Sequence, residues 1–315
     1  MLRIVFVFWL VTGAVVLFVD SPFLLMLCGY AFAFSLFALS INILLGGLGE
    51  VPLGQSLFFG LGAYAAALLM LRAGWPFPLA ALGAMVLAAV VSWIVGVLTL
   101  KLTGANFSIV SWGIAGVAGV AALNFDGLTG GPLGLFGFPP MKVGLFDLAD
   151  PHVYLVCTAL AAGVAMLVLE AVRRAPFGQA MTSVRESRHL AQAVGIDASG
   201  LRLQAFVFSA PFAALSGVLT LPYTNIVNPD IMSVVNTVDG LLMALLGGTA
   251  SIFGPVGAAL VFIIVPHLLH LDPNVRVIVF SAMVIGVLFF APGGLKQIAT
   301  RIAGRFMPGR AGRAP

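Results

Sequence analysis

The side chains able to bind an ion or do chemistry are few and scattered. His267 and His270 stand three apart at the end of an apolar run, with Asp272 close by. Two imidazoles on one helix face can hold a metal, but a structural zinc site wants four ligands. Their setting favours polar residues at a helix end, and no metal site is assigned. The chain contains no G-x-x-x-x-G-K-S/T loop to cradle phosphates, no H-E-x-x-H and no G-x-S-x-G. It is therefore read as no enzyme. Ion-coupled carriers place a charged group near the membrane midplane, and here only Asp239 lies within an apolar run. Preceding Gly240, it reads either as the cap of a broken helix, accepting backbone N–H groups, or as a coupling site. Glu50 and Glu170 stand at the ends of such runs.

The elements that must position these residues follow from composition. Of 315 residues 61% are hydrophobic and 8% charged, and the mean hydropathy is +1.14. A soluble domain carries about 25% charged residues, so 15 Lys and Arg with 11 Asp and Glu cannot coat a globule of this size. Soluble, disordered and nucleic-acid-binding proteins are set aside, and the solvent is membrane lipid. The basic excess, +4 at pH 7, is what Lys- and Arg-rich cytoplasmic loops produce. Cys28 and Cys157 sit in apolar runs and point to no disulfide framework.

A helical crossing needs roughly 17–25 apolar residues. Ten runs qualify, near 4–19, 22–45, 57–72, 77–100, 105–123, 152–172, 201–222, 233–250, 253–270 and 274–291. The alternation that a β-barrel requires is missing from them. The expected fold is an all-α polytopic membrane protein with about ten transmembrane helices, one domain over 1–315. Basic clusters at about 173–202 and in the tail 292–315 belong in the cytoplasm by the positive-inside rule. Six runs precede the first cluster and four separate the two. Both termini are then cytoplasmic and the loop 124–151, with Asp126, Asp147 and Asp150, is external. The run 4–19 is read as a short first span, since Asp20-Ser21-Pro22 makes no small-x-small cleavage site.

Two sequence features can make such a bundle work. Leu44-Leu45-Gly46-Gly47 and Leu245-Leu246-Gly247-Gly248 form a weak repeat. It reads either as broken helix lining a pathway or as small residues for close packing. Between the sixth and seventh runs, Pro176 and Gly178 mark a turn. Gln179 to Ala193 then holds no breaker, and Gly195 acts as the stop. This short helix of mixed polarity suits a soluble motor that must grip a membrane protein. A helix lying on lipid is the alternative, weakened because bulky aromatics are lacking on its apolar face.

That segment resembles the coupling loop of ABC importer permeases, and the whole chain resembles the M-type permeases of branched-chain amino acid ABC transporters. The resemblance is carried in order by five groups of residues. They are Asn42-Ile-Leu-Leu-Gly46 with Leu53-Gly54-Gln55 and Phe58-Phe-Gly-Leu-Gly-Ala-Tyr64; Lys101-Leu-Thr-Gly104 with Phe107-Ser-Ile-Val110; Asn124 with Leu128-Thr-Gly-Gly-Pro132 and Gly134-Leu135; Pro176-Phe-Gly178 with Arg185-Glu186, Ala193-Val-Gly-Ile196 and Ala205-Phe206; and Leu246-Gly-Gly248 with Gly254-Pro255, Ala291-Pro292 and Gly294-Leu295.

The resemblance implies a type II ABC importer-like permease in a bacterial inner membrane. It implies a second homologous permease subunit, two ATP-binding subunits that hold ATP and Mg, and a periplasmic substrate-binding protein. No cofactor is expected on this chain. Coupling to the ATPase would fall to Arg185, Glu186, Arg188, Ala193 and Gly195, and the substrate pathway to Asn42, Gln55, Asn106 and Asp239. Asn124, Thr129, Gly130 and Gly131 would shape the external loop. Glu50-Val-Pro-Leu-Gly-Gln55 and Val110-Ser-Trp-Gly113, with Gly116, depart from the family's usual residues. Those departures put leucine, isoleucine and valine in doubt and leave urea, short amides and aromatic acids open. Alternatives are a stand-alone channel or secondary carrier for a small neutral solute such as urea, or a structural membrane scaffold.

Overall fold

The computed structural model describes residues 21–99, 102, 104–249, 251–268 and 275. The runs expected at 4–19 and 274–291 and the basic tail lie outside them, as do Lys101, His270 and Asp272. The other eight runs all fall on helices. These are α1 (Pro22–Leu48), α2 (Gln55–Ala73), α3 (Phe77–Thr99), α4 (Ala105–Asn124), α6 (Pro151–Arg174), α9 (Ala198–Thr224), α10 (Val234–Gly247) and α11 (Phe253–Leu268). Three short helices complete the set: α5 (Asp126–Thr129), α7 (Pro176–Glu186) and α8 (Arg188–Ala193).

The described residues bear on eight of the ten expected crossings. Six of the described helices (α1 to α4, α6 and α9) are long and apolar enough to cross a bilayer. At 14 and 16 residues, α10 and α11 are shorter. The chain is also not strictly all-α. β1 (Leu135–Phe136) pairs antiparallel with β4 (Ile226–Val227), and β2 (Lys142–Val143) with β3 (Phe146–Asp147). These two-residue pairs join loops at the end of the bundle away from α7, where backbone groups not held in a helix take partners from each other.

Lipid tails are as apolar as leucine, so the bundle is held by close packing rather than by exclusion from water. At the centre α1, α2 and α9 approach closely through small residues. A Cβ on Gly217 of α9 would strike the Phe59 carbonyl and Ala63 nitrogen of α2, and one on Gly62 would strike the backbone of Ala214. Edge-to-face rings fill the space beside them, with Phe58 and Phe206 at 5.3 Å between centroids. Around this centre α6, α10 and α11 pack on α1, and α3 packs on α2 and α9. Gly49, at φ +73°, ends α1 in the left-handed conformation, its N–H reaching the Leu45 carbonyl and that of Glu50 the Leu44 carbonyl.

One long-range tie has a direct test. The Tyr154 hydroxyl of α6 donates to the Leu219 carbonyl of α9 at 2.8 Å, and its ring fills the space that Gly29 of α1 leaves. Tyr154→Phe keeps the ring and loses the bond, so unfolding in detergent should become easier by about 1 kcal/mol. An unchanged unfolding midpoint would remove the bond from the list of ties.

Candidate functional site: the joint at the α7 end and the pathway faces

The segment after α6 folds as two helices rather than the one expected over Gln179–Ala193. Pro176 occupies the first turn of α7, and Gly178 sits so close to the Val172 carbonyl and Arg173 backbone that no side chain fits. Ser187 is extended and its Oγ accepts from Leu190 N–H, starting α8 afresh. A serine that bonds the following backbone competes with helix continuation, which is why the break falls there. Gly195, at φ +89°, turns the chain back, and the Asp197 carboxylate caps α9 through Ser199 N–H at 3.1 Å.

One face of this elbow is locked and the other is bare. Met181 and Val184 are buried, the Met181 methyl filling the space beside Gly47 of α1. Arg185 donates to the Gly46 carbonyl at 2.6 Å, and Arg188 reaches Ser199 Oγ at 3.4 Å. Glu186 and Ala193 face outward. So do two apolar side chains, Val194 of the Ala193–Ile196 motif and Leu190, which sequence reasoning did not single out. Leu190 is 71% and Val194 77% exposed, one helical turn apart. The i, i+4 spacing carried the signal.

Also missed was a buried ion pair behind the elbow. The Arg202 guanidinium, on the first turns of α9, meets the Glu50 carboxylate side-on, with Nε 2.5 Å from Oε1 and Nη2 2.9 Å from Oε2. Nη2 also donates to the Leu102 carbonyl at 2.7 Å, and the guanidinium lies 5.7 Å from the Phe107 ring centroid. Arg202 is 6% and Glu50 13% exposed at the side chain. One residue thus binds the α1–α2 link, the α3–α4 link and the start of α4 to the helix that follows the elbow. In sequence Arg202 reads as one more basic residue of the 173–202 cluster, and Glu50 as a departure from the family's usual residue.

The two LLGG segments meet. Gly46 packs on the Thr249 carbonyl, and Asn42 Nδ2 donates to the Ser251 carbonyl at 3.1 Å. Between α1, the end of α6, α7, Phe208 of α9 and Thr249, Ser251 and Ile252 lies a half-open cavity of about 270 Å³. Gln55 lies elsewhere, fully buried where α1, α2 and α9 meet. Its Nε2 donates to Ser40 Oγ at 3.3 Å and Ser209 Oγ at 3.2 Å.

An interrupted segment follows α9. After β4 the chain runs through Asn228 and a 3-10 turn, Pro229–Met232, into α10. It comes to lie against the first turns of α2, where the Met232 carbonyl accepts from Ser56 Oγ at 3.0 Å and Thr237 Oγ1 from Ser56 N–H at 3.2 Å. Asn236 holds this turn through the Asp230 and Ile231 carbonyls. Asp239 is half-buried in the interior of α10 and does not cap it. The helix runs on through Gly240, which packs on Phe37 and Ile41.

The exposed faces of the outer helices differ in kind. On α3 they read Leu79, Leu82, Val86, Val90, Trp93 and Val97, and on α6 Val156, Leu160, Val164 and Leu167, all apolar. On α4 a stripe runs Asn106, Ile109, Gly113, Gly116, Val117, Val120 and Asn124, with Val110, Trp112 and Leu123 exposed beside it. Asn124 donates back to the Val120 carbonyl at 2.7 Å. Beyond it Thr129, buried, donates to the Ala122 carbonyl at 2.6 Å, while Gly130 and Gly131 carry the turn.

Long apolar helices, an interrupted segment packed against the start of α2, and a polar elbow between two spans define a multi-pass helical membrane protein of permease type. Residues 23–291 match the family described as the branched-chain amino acid transport system permease component, and the chain belongs to that family. It is 26% identical over 284 residues to the high-affinity branched-chain amino acid transport system permease protein LivM of Escherichia coli (strain K12), and equally to that of Salmonella typhimurium (strain LT2). Each match covers 82% of this chain and 66% of the relative, just under two thirds of its length. The probable branched-chain amino acid transport permease protein LivM of Methanocaldococcus jannaschii is 28% identical over 144 residues, 41% of this chain and 42% of that one. No solved structure matches.

Proposed function

We propose that the chain is one transmembrane permease subunit of a type II ATP-driven importer in a bacterial inner membrane, with both termini cytoplasmic. A second homologous permease completes the pathway. Two ATP-binding subunits hold ATP and Mg and do the hydrolysis, and a periplasmic substrate-binding protein delivers a branched-chain amino acid or a related small amide or acid. The observation that carries this reading is the two-faced elbow. Its inner face is locked to α1 and α9, while Leu190 and Val194 project from its outer face beside Glu186. An exposed apolar pair rimmed by charge marks a protein contact, and a locked inner face converts a push there into movement of the spanning helices.

For the pathway, the α4 stripe is the favoured wall. Lipid-facing surfaces are bulky and apolar, whereas small and polar positions face protein or a water-filled path. Asn106 sits on that stripe. Asn42, Gln55 and Asp239 lie on other elements, and their proposed role is to hold the helices that move.

The reconstituted complex tests the elbow. Arg185→Glu combined with Glu186→Arg should lower uptake at least about tenfold, the scale set by losing a charge-assisted hydrogen bond of about 1.5–3 kcal/mol. The variant should still insert and the complex still hydrolyse ATP. Uptake at the wild-type rate would overturn the reading, and so would solute flux through the purified chain alone.

A further inference from the structure

We propose that the hairpin β2–β3 is a membrane foot, which sets Val143, Leu145 and Phe146 among the lipids at the end of the bundle away from α7. Of the importer reading above it needs only that α3 and α6 span a bilayer.

Register makes the hairpin two-faced. Val143 pairs with Phe146, and Lys142 with Asp147. Cross-strand partners project to the same side of a ribbon and successive residues to opposite sides. One side therefore carries Val143 and Phe146, the other Lys142 and Asp147. Gly144, at φ +64°, makes the tight turn and puts Leu145 at the tip. Leu145 is 98% exposed, Phe146 65% and Val143 37%. The root of the same ribbon is firm. Leu148 N–H donates to the Met141 carbonyl at 2.9 Å, and both side chains are buried. Just beyond, the Asp150 carboxylate caps α6 through His152 N–H at 2.8 Å. The apolar tip is held out from the bundle on a fixed base.

Position names the occupant. β2 packs on α3 and β3 on α6, the two helices whose exposed faces are wholly apolar. Leu79 and Leu82 stand nearest this end of α3, and Val156 nearest this end of α6. Trp75, half-exposed beside Gly83 of α3, is the amphipathic ring that marks a membrane boundary. The hairpin thus stands on the rim of a surface that lipid covers, with an apolar side to continue it. Charge agrees. Lys142, exposed on the polar side, can lay its stem along the ribbon and reach a lipid phosphate. A docked protein fits less well, because three apolar side chains fall far short of the roughly 20–30 residues a partner gives to a standard interface. The foot fixes the depth of α6, which begins directly after it and ends at the elbow.

The test places nitroxide labels on the full chain in lipid nanodiscs, with its two cysteines, Cys28 and Cys157, replaced by alanine. Single labelling sites are Leu145→Cys, Phe146→Cys, Lys142→Cys and, as a reference on the apolar face of α3, Leu82→Cys. All four positions are exposed, so the labels leave the core intact. Power saturation reads collisions with oxygen, which concentrates in lipid, and with a nickel chelate, which stays in water. Labels at 145 and 146 should lie roughly 5–10 Å into the headgroup and acyl boundary, the depth of interfacial apolar faces, with oxygen outweighing chelate as at 82. The label at 142 should meet mainly the chelate. Leu145→Asp added to Phe146→Cys should bring the 146 label out into the chelate.

Chelate contact at 145 and 146 equal to that at 142 overturns the foot. Shielding of these labels from both relaxants, in the chain alone or on adding a periplasmic binding protein, makes the tip a protein contact and also overturns it. A 146 label unmoved by Leu145→Asp overturns insertion of the tip as a unit. The labels report without ATP or uptake, so a chain that fails as an importer but keeps this depth sinks the importer reading alone.

Discussion

Replacing Arg202 by alanine should lower the stability of the purified chain by about 3 kcal/mol, near the lower end for breaking a buried ion pair. The Glu50 carboxylate would be left in a pocket closed by Phe107 and Leu203, and the Leu102 carbonyl would lose its donor. Glu50→Ala should cost a similar amount, because a guanidinium 6% exposed would lose its carboxylate partner. Glu50→Gln should cost less, about 1 kcal/mol, since the amide oxygen still accepts. Exchanging the two (Glu50→Arg with Arg202→Glu) should recover part of the loss, though not the Leu102 bond. Thermal unfolding in detergent measures all four, and Glu50→Ala combined with Arg202→Ala closes the double-mutant cycle from which the coupling is read. Additive single effects would show that the two side chains do not act together. In the reconstituted complex the same variants should lower uptake per ATP hydrolysed, because this pair joins the element after the elbow to the start of α4.

The second large effect is steric. Gly217→Leu should destabilise the bundle by about 3 kcal/mol or more, at or beyond the top of the usual overpacking range. What the new side chain meets is the Phe59 carbonyl and the Ala63 nitrogen of α2. Backbone cannot rotate aside as a side chain can, so α2 and α9 must part along their length, and the Gly62–Ala214 contact opens with them. Gly116→Ala on α4 is the contrast. Nothing lies within 4 Å of its added methyl, so stability should stay within about 0.5 kcal/mol. Uptake should fall if the α4 stripe is the pathway wall. Comparable unfolding midpoints for the two variants would contradict the packing described here.

Much of the frame was legible because each crossing must satisfy its own backbone in lipid. That local rule writes a crossing into the sequence as an unbroken apolar run. The described spans accordingly start and stop within about three residues of the runs read from it, the ±2–4 expected of such boundaries. The elbow was legible as a polar interval between two runs, but not its division at Ser187, which depends on one side chain choosing a backbone partner. Asp239 read as a cap or a coupling site, the cap because a glycine follows it. In the bundle Gly240 instead makes room for Phe37 and Ile41, a contact with a helix some 200 residues earlier in the chain.

By itself the sequence determined that this protein spans a membrane as helices, where its charges gather, and which family it resembles. Only the tertiary structure decided that Glu50 finds Arg202, that Asn42 meets Ser251, that Gln55 is enclosed, and that the chain after Asn225 turns back into the bundle. The reason is the range of the forces. Hydropathy is summed over neighbours in the chain, whereas a lone carboxylate or amide is paired by whatever another helix brings within about 3 Å.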